Sequence, residues 1–511
     1  MGESEETATG ASRRRFLASA GLSWSAVLAG LSWRDKADAA PVPQNWDTMA
    51  DVVVVGTGFA GLAAAIEARN ANADVLVIDK MAVPGGNSVI NGGDFGAAGT
   101  QMQKAAGIED SPELMLRDML KAGQYLNHPE LARAVAEQSA SALEWCQTYL
   151  GAKFDRVNFQ GGHSVKRAHQ LHERSGSGLQ RRMLDKAREL GVRTELRAKL
   201  TRLVADATGR IIGIEVRRRY RFPDDASGTT AYVGARKAIV LASGGFAANV
   251  ALRKMYDPRL GEQFTTTNHP GATGDATIAA CLAGAMDIQM DWIQLGPWTS
   301  PDEKGFGFIP QFVERVVGYG LMVDPATGRR FFKETGNRKE RADAIVMLGH
   351  PVLMIADATN TTNMVDPGQL QGALGNGSLR RFDTLKDIAP AYGMPAGEFE
   401  AQVARWNDFV AKKKDAEFDC LIFPDAAPNV TPPFYVCRIW PRVHYTMGGL
   451  AINSAAQVIG FDLRPIPSLF AAGEATGGVH GAVRLGSCSM AACIVFGRIA
   501  GKAAAVQPAW A

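Results

Sequence analysis

Three glycines carry the first chemical signal. Gly56, Gly58 and Gly61 stand in the string Gly56-Thr57-Gly58-Phe59-Ala60-Gly61, directly after the apolar run Val52-Val53-Val54-Val55. At that spacing the first glycine allows a tight turn, the second lets backbone approach a pyrophosphate, and the third lets a helix pack against a strand. A helix opening near Ala60 aims its N-terminus at the phosphates. A second apolar run over 74–79 ends in Asp79, an acid placed to hydrogen-bond ribose hydroxyls, with Lys80 beside it. A lone Gly-x-Gly-x-x-Gly is weak; with strand, helix and acid around it, the pattern reads as a dinucleotide site.

These residues need particular elements to hold them. Residues 51–55 form a continuous β-branched run, as in a parallel strand buried on both faces. The next helix offers a small-residue face of Ala60, Ala63, Ala64, Ala65 and Ala68. Downstream, 112–150 and 177–190 read as helical, 200–216 as strands, and 238–242 as another buried strand that runs into Ser243-Gly244-Gly245-Phe246. From 291 to 443 the pattern shifts to short mixed elements, prolines and polar turns such as Asp324-Pro325-Ala326-Thr327-Gly328. The chain then returns to strand, glycine loop and helix, at 469–473 and 490–505. The expected organisation is a nucleotide domain in two parts, 48–290 and 444–511, with 291–443 inserted between them as a cap.

Composition excludes several classes. A chain of 511 residues with 46% hydrophobic and 21% charged residues is an ordinary globular protein of about two domains. A net charge of +3 is too small to argue for nucleic acid. The one basic run, Arg217-Arg218-Arg219-Tyr220-Arg221, reads as a solvated hairpin. The six cysteines form no Cys-x-x-Cys, so neither a zinc site nor a c-type haem attachment is visible, and no metal is expected. Most of the cysteines read as buried free thiols. Ser12-Arg13-Arg14-Arg15-Phe16-Leu17 resembles a twin-arginine export signal. The apolar stretch 16–31 is too short and too diluted by Ser and Gly to span a membrane, and Ala37-Asp38-Ala39 suits a cleavage site. Residues 1–39 therefore read as a signal peptide, and the mature chain as a periplasmic protein that is not integral to a membrane.

Gly85-Gly86-Asn87-Ser88 lies shortly after the ribose acid. An NAD enzyme has no standard need for this loop, but a flavin enzyme must set the isoalloxazine against backbone donors. Further strings follow in order: Gly92-Gly93, Ala242-Ser243-Gly244-Gly245-Phe246, Gly271-Ala272-Thr273-Gly274-Asp275, His444-Tyr445-Thr446-Met447-Gly448-Gly449, Gly473-Glu474-Ala475-Thr476-Gly477-Gly478 and Arg484-Leu485-Gly486. With these the chain resembles, over about 48–505, the flavoprotein family of soluble fumarate reductase (flavocytochrome c type), urocanate reductase and the succinate dehydrogenase flavoprotein subunit. The resemblance implies an α/β fold, a discontinuous Rossmann-like FAD-binding domain with an inserted α+β capping domain. It also implies FAD, contacted by Gly56, Gly58, Ala60, Gly61, Asp79, Lys80, Gly86, Asn87, Ser88, Gly92, Gly93, Gly244, Asp275, Tyr445, Glu474 and Ser487. The succinate dehydrogenase relatives tether FAD through a histidine near the Gly-Gly loop. This chain has none between Gly85 and Gly99, so non-covalent FAD is expected. The flavocytochrome relatives carry haems on their own chain, so an external electron carrier is implied here, such as a c-type cytochrome or a quinol-linked protein.

The resemblance also assigns a substrate site. His444 and Arg484 match the residues that bind one substrate carboxylate, a task suited to the planar fork of arginine. Arg338, in Glu334-Thr335-Gly336-Asn337-Arg338-Lys339, matches the cap arginine that donates a proton, and Glu314 matches the relay glutamate behind it. Three positions depart from the fumarate enzymes. Gly296, in Gln294-Leu295-Gly296-Pro297 with Trp298 nearby, replaces the histidine for the second carboxylate. Val313 replaces a threonine, and Val317 replaces the second relay arginine. One clamp survives and the opposite one is gone, so fumarate would leave a charged end unpaired at a cost of several kcal/mol. The expected reaction is reduction of the C=C bond of an α,β-unsaturated carboxylate by hydride transfer from flavin N5. The expected substrate is a mono-carboxylate with a bulkier far end rather than fumarate. The alternative is a ketosteroid-type FAD dehydrogenase acting on a ring ketone through tyrosines such as Tyr445 and Tyr319.

Overall fold

The computed structural model describes residues 39–362 and 364–510. The export signal expected over 1–39 lies outside the described residues, except for Ala39. Strand β1 (Thr48–Val55), helix α1 (Phe59–Asn70) and strand β2 (Val75–Asp79) follow one another around the first glycine loop. β2 runs parallel to β1 with Val52 opposite Val75 and Val55 opposite Ile78. This register carries Asp79 just past the end of β1, beside the loop. Val52, Val53 and Val54 are fully buried, which suits β-branched side chains covered on both faces of a sheet.

The 112–150 stretch is interrupted. Helices Pro112–Ala122 and Pro129–Glu144 are separated by a turn in which Gln124 and Tyr125 take φ of 54° and 57°, and the second helix widens over Trp145–Tyr149. Proline at the first position of each helix fixes where it can begin. A small antiparallel sheet forms from β3 (Asp94–Gly96), β4 (Phe154–Asn158) and β5 (Ala168–Leu171), with β5 in the middle. Then come α2 (Gly176–Glu189), β6 (Arg193–Leu196), β7 (Ala198–Ala205), β8 (Ile211–Arg218) and β9 (Thr229–Leu241). β9 lies parallel to β1 on the side away from β2, while β7, β8 and β9 form an antiparallel run. The basic run sits at the β8–β9 turn, but it is only partly solvated. Tyr220 is 2% exposed with its hydroxyl on Asp225, and Arg218 pairs with Glu195.

After α3 (Asp275–Leu282), the chain leaves through β10 (Ile293–Gly296) and α4 (Ile309–Val316). β11 (Leu321–Val323), α5 (Arg338–Leu348), β12 (Val352–Asp357), β13 (Leu379–Phe382) and β14 (Phe434–Ile439) follow. The four strands among them form an antiparallel sheet in the order β11-β12-β14-β13. This sheet has cores of its own, one around Phe399, Trp406 and Val410 and one around Phe312, Val316 and Ile345. α4 buries Ile309, Phe312, Val313 and Val316 in the second of these, the spacing of one helix face. Its opposite face therefore presents Gln311 and Glu314 away from that core.

The chain returns through β15 (Arg442–Thr446), which pairs with β10, then β16 (Gln457–Ile459) and β17 (Pro465–Ala471). β17 adds parallel to β9 and completes the order β16-β17-β9-β1-β2-β6. The last helix, α6 (Cys488–Ala505), lies against α1 at backbone distance. A Cβ at Gly497 or Gly501 would overlap the Ala60 or Ala64 carbonyl, so the small-residue face of α1 exists to admit α6. Among the described residues α6 is long and apolar enough to cross a membrane, but 67% of it is buried inside the protein, as in a core helix.

Candidate active site

One deep cavity of about 1800 Å³, counted out to its mouth, runs from the first glycine loop to the cap. Gly56, Gly58, Ala60, Asp79, Lys80, Gly86, Asn87, Ser88, Gly92, Gly244, Asp275, Tyr445, Glu474 and Ser487 line it, together with Glu314, Arg338, His444 and Arg484. Two expected contact residues do not. Gly61 lies inside the turn, where a Cβ would overlap the Gly56 carbonyl, and Gly93 packs on Ser175 backbone, 3.0 Å from where a Cβ would stand. Both are glycine for packing rather than for contact.

At the first loop Gly56 takes φ of 111° and passes so near the Ala242 carbonyl that a Cβ would collide. Asp79 holds the loop. Its Oδ2 accepts from Thr57 N at 3.0 Å and Thr57 Oγ1 at 2.5 Å, and its Oδ1 accepts from Met81 N at 2.9 Å. Lys80 pairs with Asp275 at 2.6 Å and also donates to the Thr273 hydroxyl. Ser88 Oγ accepts from Phe59 N, which ties the second glycine loop to the start of α1. Asn87 then links this loop to the far end of the cavity. Its Oδ1 accepts from His269 N, its amide donates to Asn268, and Asn268 Nδ2 donates to the His444 carbonyl at 2.8 Å.

Between the two ends the cavity is built to receive a large group. Ser243 Oγ is buried with no hydrogen-bond partner among the described residues. Gly86 and Gly244, at φ of 49° and 81°, have open space where a Cβ would stand. Glu474 accepts from Thr446 N at 3.0 Å, and burial pushes its pKa up to about 7. An orphaned hydroxyl, glycines facing open space and a sequestered carboxyl fit a polar cofactor lying along the wall.

The cap end is cationic and aromatic. Arg338 opens α5, its guanidinium 4.2 Å above the Trp298 ring, and its Nη2 donates to Glu314 Oε1 at 3.1 Å and Gln160 Oε1 at 3.4 Å. Arg484 lies 4.7 Å from the Tyr445 ring centre, and its Nη1 donates to its neighbour's carbonyl, Leu485 O. The Nε atoms of both arginines are buried without partners among the described residues. Arg484 has no carboxylate at ion-pair distance among the described residues. Burial, with repulsion from Arg338, lowers its pKa to about 10. His444 stands on β15 with Trp298 edge-on at 5.3 Å and Phe306 at 6.1 Å. Burial, and after it Arg484 and Arg338, hold its pKa well below the usual value, so the ring is neutral. The Thr267 hydroxyl lies 2.8 Å from Nδ1 and has no other partner among the described residues. A hydroxyl that donates to Nδ1 leaves Nε2–H facing the cavity as a donor.

Val313 and Val317 are not part of this wall. Both are buried in the cap, because they follow the apolar face of α4 and its end. Gly296 backs His444, where a Cβ would come 3.4 Å from the His444 Cβ. The far wall is instead Trp298, Phe306, Pro310 and Gln311. Phe306, Gln311 and Gln160 escaped sequence reasoning; the apolar stripe of α4 was the signal that sets Gln311 beside Glu314.

A family model, described as FAD binding domain, matches residues 51–490. The chain belongs to this family. Its relatives include the acrylate reductase flavoprotein subunit of Shewanella woodyi, 36% identical over 496 residues that cover 96% of this chain and 97% of the relative. The urocanate reductase of Eggerthella lenta is 34% identical over 93% of this chain and 77% of its own length. Among solved structures, the open conformation of a flavocytochrome c3 fumarate reductase superposes with a TM-score of 0.73, at 34% identity over 90% of this chain and 79% of that one. This chain is therefore an FAD-dependent oxidoreductase of the fumarate reductase type, acting on C=C bonds, with FAD held non-covalently.

Proposed function

We propose that this enzyme reduces the C=C bond of an α,β-unsaturated mono-carboxylate whose far end is bulkier and apolar. The observation that carries the reading is Arg484, a buried cation with an orphaned Nε and no carboxylate of its own among the described residues. A substrate carboxylate supplies the missing partner, held by the guanidinium and by Nε2–H of neutral His444. The wall of Trp298, Phe306 and Pro310 suits an apolar or aryl far end, and a second carboxylate there would go unpaired. Two relatives are named for acrylate and urocanate, alkenes with a single carboxylate.

FAD supplies the hydride at N5 when bound. The glycine loop with Asp79, the Lys80–Asp275 pair, Gly86, Asn87 and Ser88, Gly92, Gly244, Tyr445, Glu474 and Ser487 would hold it. Arg338, fixed between Trp298 and Glu314, gives its proton to the carbon next to the one that receives hydride, and Glu314 returns one to it. The ring-ketone alternative is less favoured. Tyr319 sits in the cap with its hydroxyl on Asp425 and does not line the cavity, and Tyr445 faces Arg484.

The proposal extends to organisation and setting. Residues 48–290 and 444–511 form the FAD-binding domain and 291–443 the cap. The Ser12–Leu17 string supports twin-arginine export to the periplasm. The lack of any Cys-x-x-Cys in the sequence supports an external electron carrier, a c-type cytochrome or a quinol-linked protein. The test is anaerobic. Holoenzyme with chemically reduced flavin is mixed with fumarate, acrylate, cinnamate-like acids, urocanate or a steroid enone, and re-oxidation is followed by visible absorbance. Rapid re-oxidation by mono-carboxylates and not by fumarate is expected. Rapid re-oxidation by fumarate refutes the half-clamp, and flavin reduction by a ring ketone with silence from every acid refutes the reductase.

A further inference from the structure

Arg338 must be re-protonated after each turnover, and the second relay arginine of the fumarate enzymes is absent. Val317 stands in its place, buried in the cap at 4% exposure, and its side chain carries no exchangeable proton. The opposite side of Glu314 is different. Asp94, on β3, lines the same cavity with its side chain only 11% exposed. Gln160 bridges it to the arginine, since Gln160 Nε2 donates to Asp94 Oδ2 at 3.0 Å while its Oε1 accepts from Arg338 Nη2. Arg315, the neighbour of Glu314 on α4, reaches to 3.8 Å from Asp94 Oδ2 and keeps 13% of its side chain in solvent. Asp94 Oδ1 and Glu314 Oε2 are both buried without hydrogen-bond partners among the described residues. Two largely buried carboxyls with orphaned oxygens thus lie around one arginine-glutamine bridge, and a cation with a small solvent-exposed part stands at the outer end.

We propose that Asp94 and Arg315 replace the missing arginine as the outer half of the proton relay, so that protons reach Arg338 by way of Asp94 and Glu314. The inference rests on the reductase reading above. In each turnover one N–H bond of the Arg338 guanidinium breaks as one substrate C–H bond forms. The Asp94 carboxyl gives its proton, through solvent in the cavity that both residues line, to the Glu314 carboxylate, Glu314 passes it to the neutral guanidine, and Asp94 takes one from solvent beside Arg315. No electrons pass along the chain, and the net uptake is one proton. Asp94 is suited to hold that proton. Burial raises its pKa most, Arg315 pulls it back, Glu314 raises it again, and a hydrogen bond from Asn158 and then the charge of Arg338 pull it down, with the net direction upward. Asp94 is a positioning residue in this scheme, since it acts on the substrate only through Glu314 and Arg338.

The test uses FAD-loaded enzyme and whichever acid re-oxidises the wild type fastest. Rates are read against pH in H2O and D2O. Asp94→Asn should slow steady-state turnover, in which Arg338 is refilled every cycle, by roughly 10- to 100-fold, within the usual span for a lost proton-transfer group, and enlarge its solvent isotope effect, while the first re-oxidation stays fast. The flavin spectrum and KM should stay unchanged, and Asp94→Glu should recover much of the rate. Arg315→Gln should move the basic limb of the profile to higher pH, because the cation that favours ionised Asp94 is gone. Infrared titration should show a carboxylic-acid stretch that Asp94→Asn removes. A wild-type steady-state rate and isotope effect in Asp94→Asn overturn the relay alone. A wild type inert to every acid overturns the reductase reading and the relay with it. Where Asp94→Asn does not take up FAD, an unmoved basic limb in Arg315→Gln overturns the relay by itself.

Discussion

Replacing Arg484 by methionine separates what this residue costs the fold from what it gives the reaction. Methionine keeps an unbranched apolar stem beside Tyr445 and removes the cation. Without substrate the guanidinium is buried, its Nε has no partner among the described residues, and its pKa falls from 12.5 to about 10, first by desolvation and then by repulsion from Arg338. One pKa unit is about 1.4 kcal/mol, so the charged form costs the folded state roughly 3 kcal/mol. The group is a base whose folded pKa is lowered, so the penalty is fully present below about pH 10 and relieved only above it. At neutral pH all of it is present. The bond lost to Leu485 O returns about 1 kcal/mol. The Met variant should therefore be more stable without substrate, by a few degrees in apparent Tm.

The same change strands the substrate carboxylate. Losing one partner of a buried charge pair costs about 2–5 kcal/mol. That is roughly thirtyfold to several-thousandfold in kcat/KM. Two assays decide it, thermal melting of the FAD-loaded variant followed by flavin fluorescence, and anaerobic turnover of the mono-carboxylate. A higher Tm with a collapsed kcat/KM is expected. An unchanged kcat/KM refutes the clamp, and a Tm lowered by several degrees shows that the arginine holds the fold together instead.

Three more changes probe the rest of the site. Arg338→Ala should lower kcat by about 100-fold or more while the bound-flavin spectrum stays intact, and normal turnover removes it from proton delivery. Thr267→Val, which frees Nδ1 of His444, should raise KM by about tenfold with little change in kcat, the worth of one hydrogen bond that fixes a tautomer; an unchanged KM refutes the Nε2–H assignment. In FAD-free protein, Glu474 has its pKa raised by burial from 4.5 to about 7, so the folded state holds that proton more tightly than the unfolded one. Its stabilising contribution, at most roughly 3 kcal/mol, is full at low pH and lost as pH rises through that window. The apparent Tm should fall from pH 4.5 to pH 7 and do so less in Glu474→Gln, as melting curves at stepped pH would show.

The nucleotide half was legible because its signals are local. The run Val52–Val55, the glycines at 56, 58 and 61, and the acid at 79 each dictate backbone geometry within a few residues, and β1, α1 and β2 follow from them. The split between Pro112–Ala122 and Pro129–Glu144 was as local, since Gly123 and Pro129 announce it, but the apolar period on both sides hides the break. The close approach of α1 and α6 is half local. Each helix shows small residues, yet nothing in either string says that the two faces meet.

The substrate end is another matter, because its residues come together from five distant places. Matching positions to a family one at a time sets Val313 and Val317 at the substrate. The period of α4 sets them in the cap, since Ile309, Phe312, Val313 and Val316 repeat as one buried face and Gln311 and Glu314 as the other. Periodicity outranks position here, because a helix cannot turn one residue inward without turning its neighbours on that stripe with it. The proposed relay would replace the missing arginine without a mark at its own position. Arg315 leaves α4 beside Glu314, Asp94 comes from β3 and Gln160 from the loop after β4, and they meet where the Gly92 loop passes close under the Gln311 side chain. A proton path is a property of spacing between oxygens and nitrogens, so substitution at one site and compensation at another stay separate in the chain and become one event only in the fold.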